Sequence, residues 1–185
     1  MNTDSDHDLM RAVSDGNLEQ LGELFDRHHR ALFGFFMTQT GGVRDVSEDL
    51  VQEVFLRILK YRGGYRGEQG FRAWLYRIAR NCHIDHYRRN GRLDETPLEA
   101  ETLPSDTAGP LDRLSAGDER EYLARALQHL PVRHREVLVL SRYHGLTYSE
   151  IGEILGCSGN TVKVHAFRAM RKLAELVAPL HGDLP

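Results

Sequence analysis

Apolar residues recur along most of this chain with the period of a helix, and no stretch alternates as a strand would. After the turn-like Asp15-Gly16-Asn17, the segment from Leu18 to about Thr38 sets Leu21, Leu24, Phe25, Leu32 and Phe36 on one stripe. A second stripe follows in Leu50, Val51, Val54, Phe55, Ile58 and Leu59, and Asp45 with Glu48 three residues on predicts a capping box at its start. The run YRGGYRGEQG, with Gly63, Gly64, Gly67 and Gly70, predicts a flexible basic loop because so many glycines disfavour a helix. A third helix then carries Phe71, Trp74, Leu75, Ile78, Ala79 and Cys82 on its apolar face.

Between Asn90 and Leu114 the pattern dissolves into Glu, Asp, Thr and Gly broken by Pro97, Pro104 and Pro110, which predicts a linker without a core of its own. Beyond it, helix 115–130 ends at Pro131, which opens a helix from Val132 to about Tyr143, closed by Gly145. Thr147 and Glu150 predict a capping box for Tyr148–Leu155, Gly156 stops that helix, and Ser158 caps a last one running to about Val177, before Pro179. A short helix, a glycine-containing turn and a longer basic helix form a helix-turn-helix signature. The expected fold is all-α: two small helical domains, the second containing the helix-turn-helix, joined by an acidic linker.

Composition narrows the classes. With 185 residues, 41% hydrophobic and 28% charged, the chain has one or two modest cores and no apolar run that could span a membrane. Its start, MNTDSDHDLM, is acidic and reads as neither a secretory nor a transit signal. Cys82 and Cys157 match no paired metal spacing and are expected to be reduced thiols in a cytosol. The net charge of −3 conceals sorting along the chain: −7 over residues 1–53, +8 over 54–92, −6 over 93–130, +4 over 131–172 and −2 over the tail. Two basic blocks on an otherwise acidic chain suggest two polyanion-binding surfaces.

Both blocks carry suitable chemistry. On the last helix, Val162, Ala166, Ala169 and Leu173 share one side and are expected to pack on Leu138, Ile151 and Leu155. The other side presents Asn160, Lys163, Val164, Phe167, Arg168 and Arg171, whose amide, cationic and apolar groups suit base edges, phosphates and thymine methyls in a major groove. On the third helix, Arg72, Tyr76, Arg80, His83 and Tyr87 form a second face that ends in Arg88-Arg89, and the adjacent loop adds Tyr65 and Arg66. Interleaved aromatics and arginines suit unstacked bases and a single-strand backbone. Trp74 lies on the apolar stripe, where a core position and a stacking one are both open. Cys82 and His86, one turn apart beside His83, have helical ligand geometry, but two ligands make no metal site. No phosphate loop, nucleophile elbow or acid pair stands out, so no residue is a candidate for catalysis.

The segment EDLVQEVFLRILKY…FRAWLYRIARNCHIDHYRR resembles the promoter-melting region 2 of bacterial RNA polymerase sigma factors, and LPVRHREVLVLSRYHGLTYSEIGEILGCSGNTVKVHAFRAMRKL resembles their region 4. The order of the two, with only the acidic linker between, points to the small extracytoplasmic-function group. The resemblance implies region 2 over 1–92, a linker over 93–114, region 4 over 115–178 and a tail over 179–185. It implies that Asp49, Gln52 and Glu53 dock on core RNA polymerase, that the loop Arg62–Gly70 and the third helix capture the minus-10 strand, and that the last helix, Thr161 included, reads the minus-35 duplex. The implied protein is a non-enzymatic initiation factor of the cytoplasm, without cofactor, partnered by core polymerase, promoter DNA and an anti-sigma factor. Where the family often reads T-V-K-S-R-L, Thr161-Val162-Lys163 is followed here by Val164-His165-Ala166, which leaves the minus-35 preference open. The competing reading is a helix-turn-helix regulator that recognises DNA without polymerase; it would leave the basic, aromatic first half idle.

Overall fold

The fold was obtained as a computed structural model that describes residues 5–67, 70–90 and 119–181; all of the described regular structure is helical. The first helix, α1 (Asp6–Ser14), precedes anything the apolar stripes announce. Ser5 caps it through a reciprocal capping box with Asp8, and Leu9, Met10 and Val13 enter the core. Its signal was present as a serine three residues before an aspartate, ahead of only three well-placed apolar side chains.

Helices α2 (Glu19–Gln39), α3 (Arg44–Tyr61) and α4 (Phe71–Arg89) follow, with a short 3-10 turn at Arg62–Gly64. Most of the expected stripe residues meet, with Leu24, Leu32, Phe36, Leu50, Val54, Ile58, Leu75 and Ala79 all buried, but on α2 Phe25 is 38% exposed and Phe35, off the expected stripe, is buried instead. Burying each larger side chain is worth about 1.5–3 kcal/mol, so the pattern, more than helix propensity, holds these helices together. The predicted Asp45–Glu48 capping box is absent. Helix α3 starts two residues earlier, with Val43 at its cap, and Glu48 instead accepts a hydrogen bond from Arg44 at 2.8 Å. An arginine four residues away offers the carboxylate a charged donor, which outcompetes a backbone amide.

In the second half, α5 (Glu119–Gln128) and α6 (Val132–Leu138) lead into a π-helical turn, Val139–Tyr143, then α7 (Tyr148–Leu155) and α8 (Gly159–His181). The expected helix to Tyr143 is thus continuous in space but widens in its last turn. The Thr147–Glu150 capping box is present, and Gly156 closes α7 in the left-handed conformation at φ +70°. Gly152 lies where a side chain cannot fit: a Cβ there would stand 2.6 Å from the Cys157 carbonyl oxygen. Helix α8 runs on past Pro179 to His181, beyond the expected stop near Val177.

The expected linker, 93–114, lies outside the described residues. The two halves it joins pack on each other. Helix α7 lies on α4 and α5 on α2, and one apolar cluster runs from Leu24 and Phe35 through Tyr76 to Leu140 and Ile151.

Candidate nucleic-acid interface

The helix-turn-helix supplies the more open of two basic surfaces. Val162, Ala166 and Ala169 are buried on the inner side of α8, Ala169 against Leu127, Leu130 and Leu138, with Leu173 packed on that cluster. At its start, Ser158 Oγ accepts from the Thr161 amide at 3.1 Å and lies 2.9 Å from Thr161 Oγ1, so the expected serine cap is in place. These contacts fix the outer face, where Asn160, Thr161, Lys163, Val164, Phe167, Arg168 and Arg171 are all exposed. Phe167 is 69% and Val164 49% exposed, unusual for side chains that gain nothing from water. Arg171 lies at the long limit of an ion pair with Glu175, 3.9 Å away, which leaves its guanidinium available to an anion.

The second surface, on α4, has the same residue types in a different environment. Arg72, Tyr76, Arg80, His83 and Tyr87 do share a face, and that face turns toward the other half of the chain. Tyr76 is only 2% exposed, and its hydroxyl lies 2.7 Å from His144 Nδ1. Arg72 donates to the His144 carbonyl oxygen, and Arg80 pairs with Glu136 at 3.3 Å. His83 is buried beside Tyr87, edge-on at 4.7 Å. Burial drives the Tyr76 phenol pKa upward, with Arg72 opposing. Burial, and next to it Arg135, lower His83 to about 4; burial and Arg72 do the same for His144. Arg88 and Arg89 are exposed at the end of α4.

The glycine-rich loop behaves differently again. Tyr65 is buried against Trp74, with ring centroids 5.1 Å apart, and its hydroxyl lies 3.0 Å from His7 Nδ1 of α1. Trp74 is 8% exposed, so the core alternative holds for it. Arg66 is exposed, and with Gly64, Tyr65, Gly67, Gly70, Trp74 and Arg77 it lines a cavity of about 110 Å³. Positive φ at Gly67 and Gly70, +76° and +72°, lets the chain turn there around the cavity mouth.

On α3, Asp49 and Gln52 are exposed and Glu53 is half-buried. Glu53 and Asp85 hold Arg57 at 2.8 and 2.7 Å; burial works against the Arg57 charge, but these two bonds win and keep its pKa above the usual range. The sequence reading missed Leu56, which is 61% exposed and in helical register with Asp49, Gln52 and Glu53. Its signal was a leucine off the apolar stripe, in a helix whose other leucine, isoleucine and phenylalanine residues lie on it. Burial pushes the Cys82 thiol up to about 12, the state of an unreactive cysteine. Among the described residues no three His, Cys, Asp or Glu side chains converge to hold a metal.

Two family descriptions match this sequence: Sigma-70 region 2 over residues 24–93 and Sigma-70, region 4 over residues 120–173. The RNA polymerase sigma factor CarQ of Myxococcus xanthus is 34% identical over 177 residues, covering 95% of this chain and 99% of CarQ. The chain belongs to the sigma-70 family of RNA polymerase sigma factors. The ECF RNA polymerase sigma-E factor of Escherichia coli is 31% identical across 71% of this chain and 74% of its own length. Among solved structures, CnrH in complex with the cytosolic domain of CnrY superposes with a TM-score of 0.70 at 28% identity, over 98% of this sigma factor and all of CnrH. The sigma factor RpoE of Bartonella quintana, in complex with the anti-sigma factor NepR, gives 0.65 at 26%, over 88% and 98%. This is thus an extracytoplasmic-function sigma factor, a polymerase-binding protein for promoter recognition, and the matches cover both halves. No described helix is long and apolar enough to cross a membrane.

Proposed function

We propose a division of labour among three surfaces of this sigma factor. Helix α8 enters the major groove of the minus-35 duplex: Lys163, Arg168 and Arg171 meet phosphates, while Asn160, Thr161, Val164 and Phe167 face base edges and methyls. Helix α4 and the glycine-rich loop take the displaced minus-10 strand, with Arg66, Arg72, Arg80, Arg88 and Arg89 along its backbone, Tyr76 and Tyr87 for stacking, and Tyr65 as one wall of the cavity beside it. The α3 face of Asp49, Gln52 and Glu53, with Leu56 among them, docks on core polymerase. Polymerase supplies the chemistry and the sigma factor none, acting in the cytoplasm where polymerase works. The division into residues 1–92 and 115–178 follows from these roles.

The exposed face of α8 carries the reading: a phenylalanine 69% in solvent beside Lys163, Arg168 and Arg171 has no structural purpose but a major groove or a partner gives it one. RpoE was solved in complex with the anti-sigma factor NepR, and CnrH in complex with the cytosolic domain of CnrY, which supports an anti-sigma factor as a further partner of this chain. The test is selection from a random duplex library with purified core polymerase. With this sigma factor present, the retained sequences should share two separated blocks of bases. A single block, selected equally well without polymerase, would favour an autonomous helix-turn-helix regulator.

A further inference from the structure

Helix α1 lies ahead of the Sigma-70 region 2 match, which begins at residue 24, and has no part in the three surfaces above, yet it holds the back of the cavity in the glycine-rich loop. Tyr65 and Trp74 line that cavity, and Phe71 packs behind both, its ring centroid 6.3 Å from each of theirs. Two consecutive residues of α1 reach this aromatic trio. His7 Nδ1 lies 3.0 Å from the Tyr65 hydroxyl, with the two ring centroids 5.7 Å apart. Asp6 holds His28 Nε2 at 2.8 Å and Arg27 Nη1 at 3.1 Å, and the His28 ring lies 5.1 Å from that of Phe71. Burial of Leu9, Met10 and Val13 keeps α1 itself in place.

The loop needs such a support. Gly63, Gly64, Gly67 and Gly70 give it no stiffness of its own, so the position of its one buried ring, Tyr65, depends on what that ring touches. Burial, and next to it the charge of Asp6, push the Tyr65 phenol up, so its hydroxyl remains a donor and a neutral His7 accepts from it at Nδ1. The backbone is fitted to the same imidazole: a Cβ on Gly67 would overlap the His7 ring. We propose that His7 is a positioning residue for strand capture, which through Tyr65 and Gly67 sets the wall of the cavity before an extruded base arrives. The proposal rests on the reading above that the loop captures the displaced strand, with one base of it in this cavity. Without His7 the loop must be ordered by the base itself, and that ordering lowers the affinity for the strand.

The test uses holoenzyme assembled from core polymerase and the full chain, as wild type, His7→Ala and His7→Asn. The template is a promoter selected as above and pre-melted across its minus-10 block, with normal bases or with an abasic site moved through the displaced strand one position at a time. Binding is measured by fluorescence anisotropy of the labelled template. Wild type should lose affinity most at one position, that of the base in the cavity. On the normal template His7→Ala should bind roughly fivefold more weakly, equivalent to about 1 kcal/mol, and on the template abasic at that position it should match wild type. His7→Asn, which keeps an acceptor near the place of Nδ1, should recover most of the loss; recovery of none would overturn the proposal. A loss by His7→Ala that is equal on normal and abasic templates would mean that His7 only supports the fold, and would overturn the proposal while leaving strand capture standing. So would normal binding by His7→Ala. Abasic sites that leave wild-type binding unchanged at every position would remove the base from the cavity, and with it the reading on which the proposal rests.

Discussion

Helices α4 and α8 carry the same kinds of side chain, arginines interleaved with an aromatic residue, yet one presents them to water and the other to protein. Phe167 of α8 is 69% exposed, whereas Tyr76 of α4 is 2% exposed. A duplex groove accepts a rigid helix as it stands, so the reading face of α8 can be permanently open. A single strand exists only after melting, and a basic, aromatic surface left open would also bind nucleic acid outside its promoter through the phosphates. Residue type reveals what a surface can bind; only tertiary context reveals when it is available.

Acidification should break the comparison most strongly. His144 faces Arg72 and Tyr76; His83 faces Arg135, Arg80, His86 and Tyr87, with Glu136 paired to that same Arg80. Both imidazoles are held at about 4 while the two halves pack together, the closed form, and return toward about 6.5 when solvated. The open form therefore binds more protons at low pH. Closure is fully supported above about pH 6.5 and is lost as pH falls toward 4, by up to about 1.4 kcal/mol per unit for each histidine. Scattering at pH 7.5 and 5 should show expansion at the lower pH with helix content retained, and an unchanged radius would contradict the interface described for α4.

Next in size is Gly152→Ala. A Cβ 2.6 Å from the Cys157 carbonyl oxygen must displace the turn between α7 and α8. Denaturant unfolding should show a loss of about 2–3 kcal/mol, and duplex binding should fall with it. Stability within 0.5 kcal/mol of wild type, about the scatter of an exposed substitution, would mean the turn is looser than its geometry implies.

Tyr76→Phe sharpens the comparison by keeping the ring and deleting the hydroxyl at 2.7 Å from His144. Closure should weaken by about 1 kcal/mol, while stacking on a base, which needs only the ring, should persist in strand-binding assays. Smallest is Lys163→Ala on α8. The log–log salt dependence of duplex binding should flatten by about 0.9 if Lys163 touches one phosphate, and Val164→Ala should change which duplexes bind while leaving that slope alone.

Much of this was legible in the sequence because helix stripes and caps are local. The stripes of α2, α3 and α4, the Thr147–Glu150 box and the Ser158 cap depend on residues at most a few positions apart. Asp45 and Glu48 misled because a local motif has local competitors, here Arg44. Helix α1 was missed for its shortness, with three core residues behind a serine cap. The closure of α4 had no readable signal: Arg80 and Glu136 are 56 residues apart, Tyr76 and His144 68, and the charged linker between them suggested separation. The same distance hid the state of Tyr76, whose spacing on α4 was read correctly but whose exposure was not.

The central claim, that one surface reads duplex and the other a melted strand on behalf of polymerase, is tested most directly by run-off transcription. The template would be a promoter selected by the holoenzyme, used intact or with either of its two base blocks scrambled. A discrete transcript should require both this chain and core polymerase, and should be lost when either block is scrambled. A transcript that survives scrambling of one block, or that core polymerase makes alone, would contradict the account.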